Sequence, residues 1–169
     1  NVVIVFVKGF QVAEVPDFMV LIDFISNVIG RKKMNFEMQR IIETALREDI
    51  GTGEVATEGT VDATTGSQAE LVAKEDFVVA GSDFAARVFR TLDPEVSFES
   101  LIEDGQSVQR GDVQAWIKGP AAILLQGERV ALNLLQRACG IATMTAQFVA
   151  EVKGTGTTIV DTRKTVPGL

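Results

Sequence analysis

The sequence contains no histidine and a single cysteine, Cys139. Without histidine, this chain cannot build a Ser-His-Asp triad, a histidine-ligated zinc site or a histidine general base. A lone cysteine excludes a disulfide within one chain and a zinc-thiolate cluster, because both need more than one thiol. The cysteine usage favours a reducing compartment, and we therefore expect the protein to be cytoplasmic.

The charge balance is acidic, with 23 Asp and Glu residues against 16 Lys and Arg and a formal net charge of −7. This balance argues against a broad nucleic-acid surface, so no nucleic-acid partner is expected. The chain has 169 residues and is 46% hydrophobic, which is enough to bury a core as one domain or two small ones. Positively charged side chains that have a function must therefore be concentrated in a local part of the surface.

The first 33 residues differ from the rest of the chain. Residues 18–30 form an apolar run that carries Asp23 and is too short to span a bilayer. The uncharged start and the lack of a small-residue cleavage site do not match a secretory signal. The basic cluster at 31–33 leaves a surface-lying helix as an alternative. We predict instead that Met34 is the true start, that residues 1–33 are upstream sequence, and that no membrane is involved.

The region from residue 35 to 66 predicts a helix and then a loop. Residues 35–50 carry a helical stripe of apolar side chains, with Asn35 as a candidate N-cap and Gly51 as a stop signal. Residues 51–66 are rich in glycine and threonine, which indicates a loop.

The next region predicts a small antiparallel sheet with one helix. Residues 68–81 indicate one or two strands, and Ser82-Asp83 is a candidate cap for a helix over 84–92. Residues 96–120 contain Asp-Gly and Arg-Gly-Asp turns between short alternating runs, as in tight antiparallel connections.

The last third predicts two helices and a strand. Residues 121–139 place several apolar side chains near one face, and Cys139-Gly140 is expected to break the helix there. A second helix is predicted over 141–154 and a final strand over 155–161. The apolar face consists of Ile123, Leu124, Val130, Leu134 and Leu135. We infer a small α+β domain, then helices leading into a new β/α unit.

Three positively charged side chains lie next to apolar segments of the sequence and are candidate ligand-binding groups: Arg129, Arg163 and Lys164. The last two directly follow the predicted final strand, and ligands bind beyond the carboxyl ends of strands in α/β sheets. Arginine grips carboxylates and phosphates through paired N–H donors, while lysine acts as a compact charge. A solvated charge cluster, and for Arg129 an exposed helix face, are the competing interpretations that the pattern leaves open.

The polar neighbours of this pair also have two interpretations each. Asp161 could orient the arginine or bridge to a metal, although an Asp at a strand end more often caps a turn. Thr162 and Thr165 could donate hydroxyls to a phosphate or simply satisfy strand propensity.

Two other groups of residues are interpreted structurally. Glu48, Asp49 and Glu54 surround the glycines of EDIGTGE, but their spacing matches no EF-hand, so helix-end charges are the better explanation. Cys139 has no histidine partner and is predicted to be a small buried filler.

Two motifs make the sequence similar to a known family. GERVALNLLQRACGIATMTAQFV followed by DTRKTVPGL resembles the quinolinate phosphoribosyltransferases, whose members carry ER-x-x-LN-x-L-x-R-x-SGIAT and then DTRKT-x-PG. The family serine before GIAT is Cys139 here. ALREDIGTGEVAT also resembles a family EDxGxGDxT segment, with Glu54 where Asp is usual. The resemblance covers about Met34 to Leu169.

The resemblance implies an N-terminal α/β sandwich at 34–120, linking helices at 121–154 and the first strand of an incomplete α/β barrel at 155–169. It implies that the barrel stops after this strand, so that the family's histidine and Mg²⁺-binding acids belong to a missing C-terminal part. We therefore expect the 169-residue chain alone to be inactive.

The resemblance also implies roles for four residues. Arg129 looks like the arginine that one subunit of a homodimer contributes to its neighbour's site, gripping a quinolinate carboxylate. Arg163 looks like a second carboxylate ligand, with Thr162 as its hydrogen-bonding neighbour. Lys164 resembles the catalytic lysine near quinolinate and phosphoribosyl pyrophosphate. The implied products are nicotinate mononucleotide, pyrophosphate and CO₂, with Mg²⁺ as cofactor.

Two alternative functions are also considered. A pyrophosphorylase paralogue associated with molybdenum transport is the nearest, although Asp161 favours the quinolinate enzymes. Residues 61–120 also resemble half of a lipoyl or biotinyl carrier sheet, but neither Lys74 nor Lys118 is clearly at a hairpin tip.

Overall fold

The computed structural model describes residues 31–51, 53, 61, 65–162 and 164–165, with side chains from residue 36 onward. Within these residues the strands form a three-stranded antiparallel sheet in the order β1-β5-β3 and an antiparallel pair of β2 and β4. The elements in chain order are α1 (Arg31–Ile50), β1 (Gly66–Val72), β2 (Phe77–Val78), α2 (Ser82–Leu92), β3 (Ser97–Ser100), β4 (Ser107–Val108), β5 (Val113–Pro120) and α3 (Ala121–Glu151). The predicted combination of helices with a small antiparallel sheet is confirmed.

Helix α3 packs against β1 and β5 of the sheet, and α1 and α2 pack against α3 and against each other. Ala115 and Ile117 of the central strand β5 are two residues apart and are both buried, whereas Lys118, the residue after Ile117, is exposed. One continuous core joins residues from every helix, with Ile42 and Val88 fully buried. Its α3 members include Leu124, Val130 and Leu135, which the apolar pattern had marked.

Helix α1 begins earlier than predicted. It starts at Arg31, so Asn35 lies inside the helix and is not its N-cap. Lysine, arginine and methionine are good helix formers, and they extend the helix through the basic cluster. The predicted stop is confirmed, since Gly51 adopts a positive φ of 56° and its N–H donates to the Arg47 carbonyl at 3.2 Å.

Helix α2 occurs where it was predicted, but its cap is different. Gly81, with φ of 89°, occupies the N-cap position, and Ser82 is the first helical residue. The side chain that satisfies the first turn comes from Asp104, in the Asp-Gly turn between β3 and β4. Asp93 ends the helix in an extended conformation, as expected for the residue before Pro94.

The prediction of two helices after Pro120 is wrong, because α3 runs unbroken for 31 residues through Cys139 and Gly140. A helical glycine costs only about 1 kcal/mol relative to alanine. Contacts with distant residues, made before and after Gly140 in the helix, offset that cost. The Cys139 sulfur accepts from the Ala80 N–H at 3.3 Å, and the Thr143 hydroxyl accepts from the Val78 N–H at 2.9 Å.

The predicted strand over 155–161 is also not formed. Residues 152–156 are turn, and residues 157–162 have no regular secondary structure. A strand is stabilised by hydrogen bonds to a neighbouring strand, and within the described residues this segment pairs with none. The start of a barrel is therefore not confirmed.

None of the described helices combines the length and the apolar composition needed to cross a lipid bilayer. The predictions for residues 1–30 and for most of the loop at 51–66, including Glu54, lie outside the described residues.

Candidate active site

Arg129 projects from the first half of α3, next to a residue that is firmly anchored. Val130 is 4% exposed and belongs to the core, whereas the Arg129 side chain is 58% exposed. Helix geometry makes this contrast possible, because consecutive residues are about 100° apart around the axis. The backbone under Arg129 is thus fixed by the core while its guanidinium faces outward.

The Arg129 guanidinium meets Asp49, which lies 80 residues earlier in the chain. Its Nε is 3.0 Å from Oδ1 and 3.2 Å from Oδ2, so both carboxylate oxygens share one nitrogen. Asp49 belongs to the last turn of α1, and its side chain is only 24% exposed. The expectation that Asp49 is merely a helix-end charge is therefore incomplete.

Thr162 and Lys164 lie in the segment after α3 and make a local contact. The Lys164 N–H donates to Thr162 Oγ1 at 3.2 Å. Thr162 is half-buried, while Asp161, Lys164 and Thr165 are exposed. Arg163 lies outside the described residues, so its predicted role stays a prediction.

The structure thus describes two of the three candidate cations, Arg129 and Lys164, and their surroundings differ. Arg129 is held by a carboxylate on a packed helix, and Lys164 is exposed on an irregular segment. Among the residues that the structure describes, no hydrogen bond or ion pair joins Thr162 or Lys164 to Arg129. Both cations could bind anionic groups, since guanidinium and ammonium are the side chains that recognise carboxylate and phosphate.

A pocket of about 330 Å³ lies between β1 and helices α2 and α3, and its lining includes none of Arg129, Thr162 and Lys164. Its lining is mainly apolar, with Phe89, Phe98 and Leu132 among its walls, and its charged residues are Glu70 and Glu128. An apolar lining with two carboxylates does not suit a polyanion, because like charges repel and no cation is present to compensate. The pocket is therefore not a plausible substrate site for anions.

Cys139 is confirmed as a buried packing residue. It is 5% exposed, and its thiol donates to the Ala80 carbonyl at 3.4 Å. Burial raises the pKa of the Cys139 thiol above its ordinary value of 9.0, and the nearby Asp104 carboxylate raises it further. A buried thiol that is harder to ionise is a poor nucleophile, which agrees with a packing role for Cys139.

Within the described part of the chain, no group of three or more His, Cys, Asp or Glu side chains could hold a metal ion. Asp49 pairs with Arg129 instead, and Glu54 is outside the described residues.

The two lysines considered for a carrier role are poorly placed for it. Lys118 is in the middle of the central strand β5, opposite Gln68 and Ser97 of the neighbouring strands. Lys74 is in a bend between β1 and β2, which pair with different strands and so form no hairpin.

The pairing of Asp49 with Arg129 is the main feature that the sequence did not reveal. Both residues were singled out, but nothing in a single sequence links positions 80 apart on two helices. Covariation of these positions among relatives would be the signal that finds such a pair.

Two family models match the chain in succession. Residues 54–139 match the N-terminal domain of quinolinate phosphoribosyl transferase, and residues 141–169 match its C-terminal domain. The first range contains Arg129, and the second contains the whole DTRKT segment with Thr162, Arg163 and Lys164.

Known proteins with similar sequences agree with these matches. The chain is 49% identical over 124 residues to a Synechocystis protein named "Probable nicotinate-nucleotide pyrophosphorylase (carboxylating)", covering 73% of the chain and 42% of the relative. A Bacillus subtilis protein of the same name is 39% identical over 135 residues, covering 80% of the chain and 46% of the relative. The chain thus spans less than half the length of both.

A solved structure supports the same assignment. The nicotinate-nucleotide pyrophosphorylase from Francisella tularensis superimposes with a TM-score of 0.75 at 32% identity, covering 79% of this chain and 47% of that one. Neither the molybdenum-associated paralogue nor a carrier domain gains support from these comparisons. The chain belongs to the quinolinate phosphoribosyl transferase family.

Proposed function

We propose that this chain is part of an enzyme that transfers the phosphoribosyl group of phosphoribosyl pyrophosphate to quinolinate, with loss of CO₂. The observation that carries the proposal is the 49% identity to a protein whose name states a carboxylating nicotinate-nucleotide pyrophosphorylase. Because the chain spans less than half of that relative, the reaction is proposed for a protein that also contains the relative's remaining length.

The charge of the substrates suits the three candidate cations. Quinolinate carries two carboxylates, and phosphoribosyl pyrophosphate carries a phosphate and a diphosphate. In a chain with a net charge of −7, such molecules need concentrated local positive charge. Arg129, Arg163 and Lys164 are the residues to which we assign this binding, with Thr162 donating a hydrogen bond beside them.

The proposed reaction has two steps. The pyridine nitrogen attacks C1 of the ribose, and the bond from C1 to the diphosphate oxygen breaks, so pyrophosphate leaves with the electron pair. The bond between C2 of the ring and its carboxyl carbon then breaks, and its electrons are stabilised by the positive ring nitrogen. CO₂ leaves, C2 takes a proton, and nicotinate mononucleotide is formed. Lys164 assists by neutralising charge near the phosphoribosyl group.

We further propose a cytoplasmic homodimer in which Arg129 of one protomer binds a carboxylate in its partner's site. Support comes from its placement, since the side chain is 58% exposed on a helix whose other face is buried in its own core. An exposed guanidinium on a rigid helix can reach a second protomer without rearranging the first.

That the enzyme uses Mg²⁺ as a cofactor is a separate proposal. We propose that the protein ligands of Mg²⁺ belong to the part of the enzyme that this chain does not include, as the family resemblance implies.

The activity is tested with a chimera in which residues 35–169 replace the matching segment of the Bacillus subtilis relative. The purified chimera is incubated with both substrates, and nicotinate mononucleotide is measured by chromatography alongside CO₂ released from carboxyl-labelled quinolinate. We expect equal amounts of both products, each dependent on both substrates. A folded chimera that forms neither product, or that uses nicotinate without releasing CO₂, would overturn the proposal.

The dimer arrangement is tested by mixing two inactive variants. In a hybrid of Arg129→Ala and Lys164→Ala protomers, one site combines an intact lysine with an intact arginine from the partner. Random mixing should therefore restore about a quarter of the unmodified activity. No recovery after confirmed subunit exchange would show that Arg129 serves its own protomer.

A further inference from the structure

We propose that Asp49 is a positioning residue for Arg129, holding the guanidinium in the orientation that binds a substrate carboxylate. The inference rests on the proposed function of Arg129 as a ligand of a substrate carboxylate. It extends that function by assigning a role to Asp49, which lies on α1. The carrying observation is the contact itself, with Arg129 Nε 3.0 Å from Oδ1 and 3.2 Å from Oδ2 of Asp49.

The backbones beneath both partners are fixed by the same core. On α1, Leu46 is 5% exposed and Ile50 packs against the core cluster, and these two residues flank Asp49 in the last turns. On α3, Val130 is buried directly beside Arg129. The two charged side chains therefore start from positions that vary little, so the contact between them constrains the direction of the guanidinium.

The electrostatics of α1 indicate that Asp49 is not there to stabilise its own helix. The last turn of a helix carries a partial negative charge, so a carboxylate in that turn is unfavourable for the helix itself. The contact with Arg129 offsets this, and an ion pair as exposed as this one adds little to folding stability. Orientation, rather than stability, is then the role that the geometry supports best.

The atoms used in the contact fit that role. A guanidinium has five N–H donors in a planar fork, and Asp49 accepts from Nε, the one nearest the side-chain stem. The terminal nitrogens point away from the stem and are the ones that make paired contacts to a carboxylate. Holding the guanidinium at Nε fixes the plane of the fork, so that a substrate dicarboxylate meets a group already ordered.

The test compares Asp49→Asn with Glu48→Gln in the chimera described above. Both substitutions remove one negative charge from adjacent residues of α1, but Glu48 is exposed and lies outside the contact with Arg129. We expect Asp49→Asn to raise the quinolinate KM by about two- to fivefold, the range of coupling that exposed ion pairs give. The kcat and the KM for phosphoribosyl pyrophosphate should stay unchanged, and Glu48→Gln should alter none of these values.

A double-mutant cycle separates positioning from a general structural effect. In an Arg129→Ala background, Asp49→Asn should cause no further rise in KM, because there is no guanidinium left to orient. Asp49→Glu, which keeps the carboxylate, should recover part of the quinolinate affinity. Circular dichroism and thermal unfolding establish that each variant is folded.

The outcomes that contradict the inference are distinct from those that contradict the proposed function. If Arg129→Ala raises the quinolinate KM but Asp49→Asn does not, the positioning role of Asp49 is wrong and the function stands. If Asp49→Asn lowers the KM, the carboxylate competes with substrate instead of orienting its ligand. If Arg129→Ala itself leaves the KM unchanged, both the proposed role of Arg129 and the inference fall together.

Discussion

Asp104 caps helix α2 through Ser82, whose backbone N–H and hydroxyl both donate to Oδ1, at 3.2 and 2.7 Å. The second carboxylate oxygen accepts from the Gly81 N–H at 2.7 Å. The first N–H groups of a helix have no partner within it, and an anion near that end is favoured by the helix dipole. A residue from the turn between β3 and β4 therefore completes a helix more than 20 positions earlier in the chain.

Removing this cap should destabilise the domain. We expect Asp104→Ala to lower the free energy of unfolding by about 1–2 kcal/mol, because three hydrogen bonds to one carboxylate are lost. Urea unfolding followed by circular dichroism measures the change. Glu103→Ala removes an exposed carboxylate from the adjacent position and should change stability by less than about 0.5 kcal/mol. Equal losses for the two variants would contradict the capping role.

Two glycines in α3 should respond to alanine in opposite directions. A Cβ at Gly127 would lie 2.8 Å from Phe89 Cδ1 and 2.9 Å from Cε1, and Phe89 is only 4% exposed. Gly127→Ala should therefore destabilise the chain by about 1–3 kcal/mol, as overpacking does. A Cβ at Gly140 would meet nothing within 4 Å, so Gly140→Ala should stabilise it by about 0.5–1 kcal/mol.

The same urea measurement serves for both glycine variants, and each is the other's control. Stabilisation by Gly127→Ala would mean that the ring of Phe89 moves aside without cost. Destabilisation by Gly140→Ala would show that the exposed side of α3 is constrained in a way that its surroundings do not explain.

The thiol of Cys139 should be replaceable by a hydroxyl. Ala80 offers both an N–H donor and a carbonyl acceptor to this side chain, and a serine hydroxyl can use both. We expect Cys139→Ser to change the free energy of unfolding by less than about 1 kcal/mol, whereas Cys139→Val loses both contacts and should cost about 1–2 kcal/mol. Equal behaviour of the two variants would mean that the polar contacts to Ala80 contribute nothing.

The raised pKa of Cys139 gives a pH dependence with a definite sign. The folded protein binds the thiol proton more tightly than the unfolded chain, so the associated stability is fully present below the ordinary pKa of 9.0. It is lost as the pH rises through the higher pKa of the folded state. The unfolding free energy should therefore fall more steeply above pH 9.0 for the unmodified chain than for Cys139→Ser. Parallel pH profiles would contradict this.

Lys164 should be essential for the proposed reaction, and a nearby lysine should not. In the chimera, we expect Lys164→Ala to lower kcat/KM by about 100-fold or more, because a positive group near the developing charge is removed. Lys153, exposed just after the end of α3, is the matched control, and its alanine variant should keep nearly full activity. Similar activities of the two variants would remove Lys164 from the site.

The elements that the sequence predicted well are those governed by local pattern. The strands β1 and β5, the turn glycines Gly105 and Gly111 with positive φ, and the stop at Gly51 all follow from neighbouring residues. The errors arose where distant contacts override local propensity. Gly140 was expected to break a helix that is anchored from outside by Ala80 and Val78.

The same distinction applies to the site. Arg129 was identified as a candidate, yet its partner Asp49 became visible only when two helices were placed side by side. The segment 158–160 has strand propensity, but propensity without a neighbouring strand does not produce one in the described residues. A single sequence therefore does not reveal which distant residues or strands pair with each other.

The uninterrupted course of α3 has a mechanical consequence. At 1.5 Å per residue, its 31 residues form a rod about 47 Å long. The rod passes from the range matched by one family model into the range matched by the next, at residues 139 and 141, with no joint between them. Rotation of the first half of α3 about its axis would therefore turn the helical residues 141–151 with it.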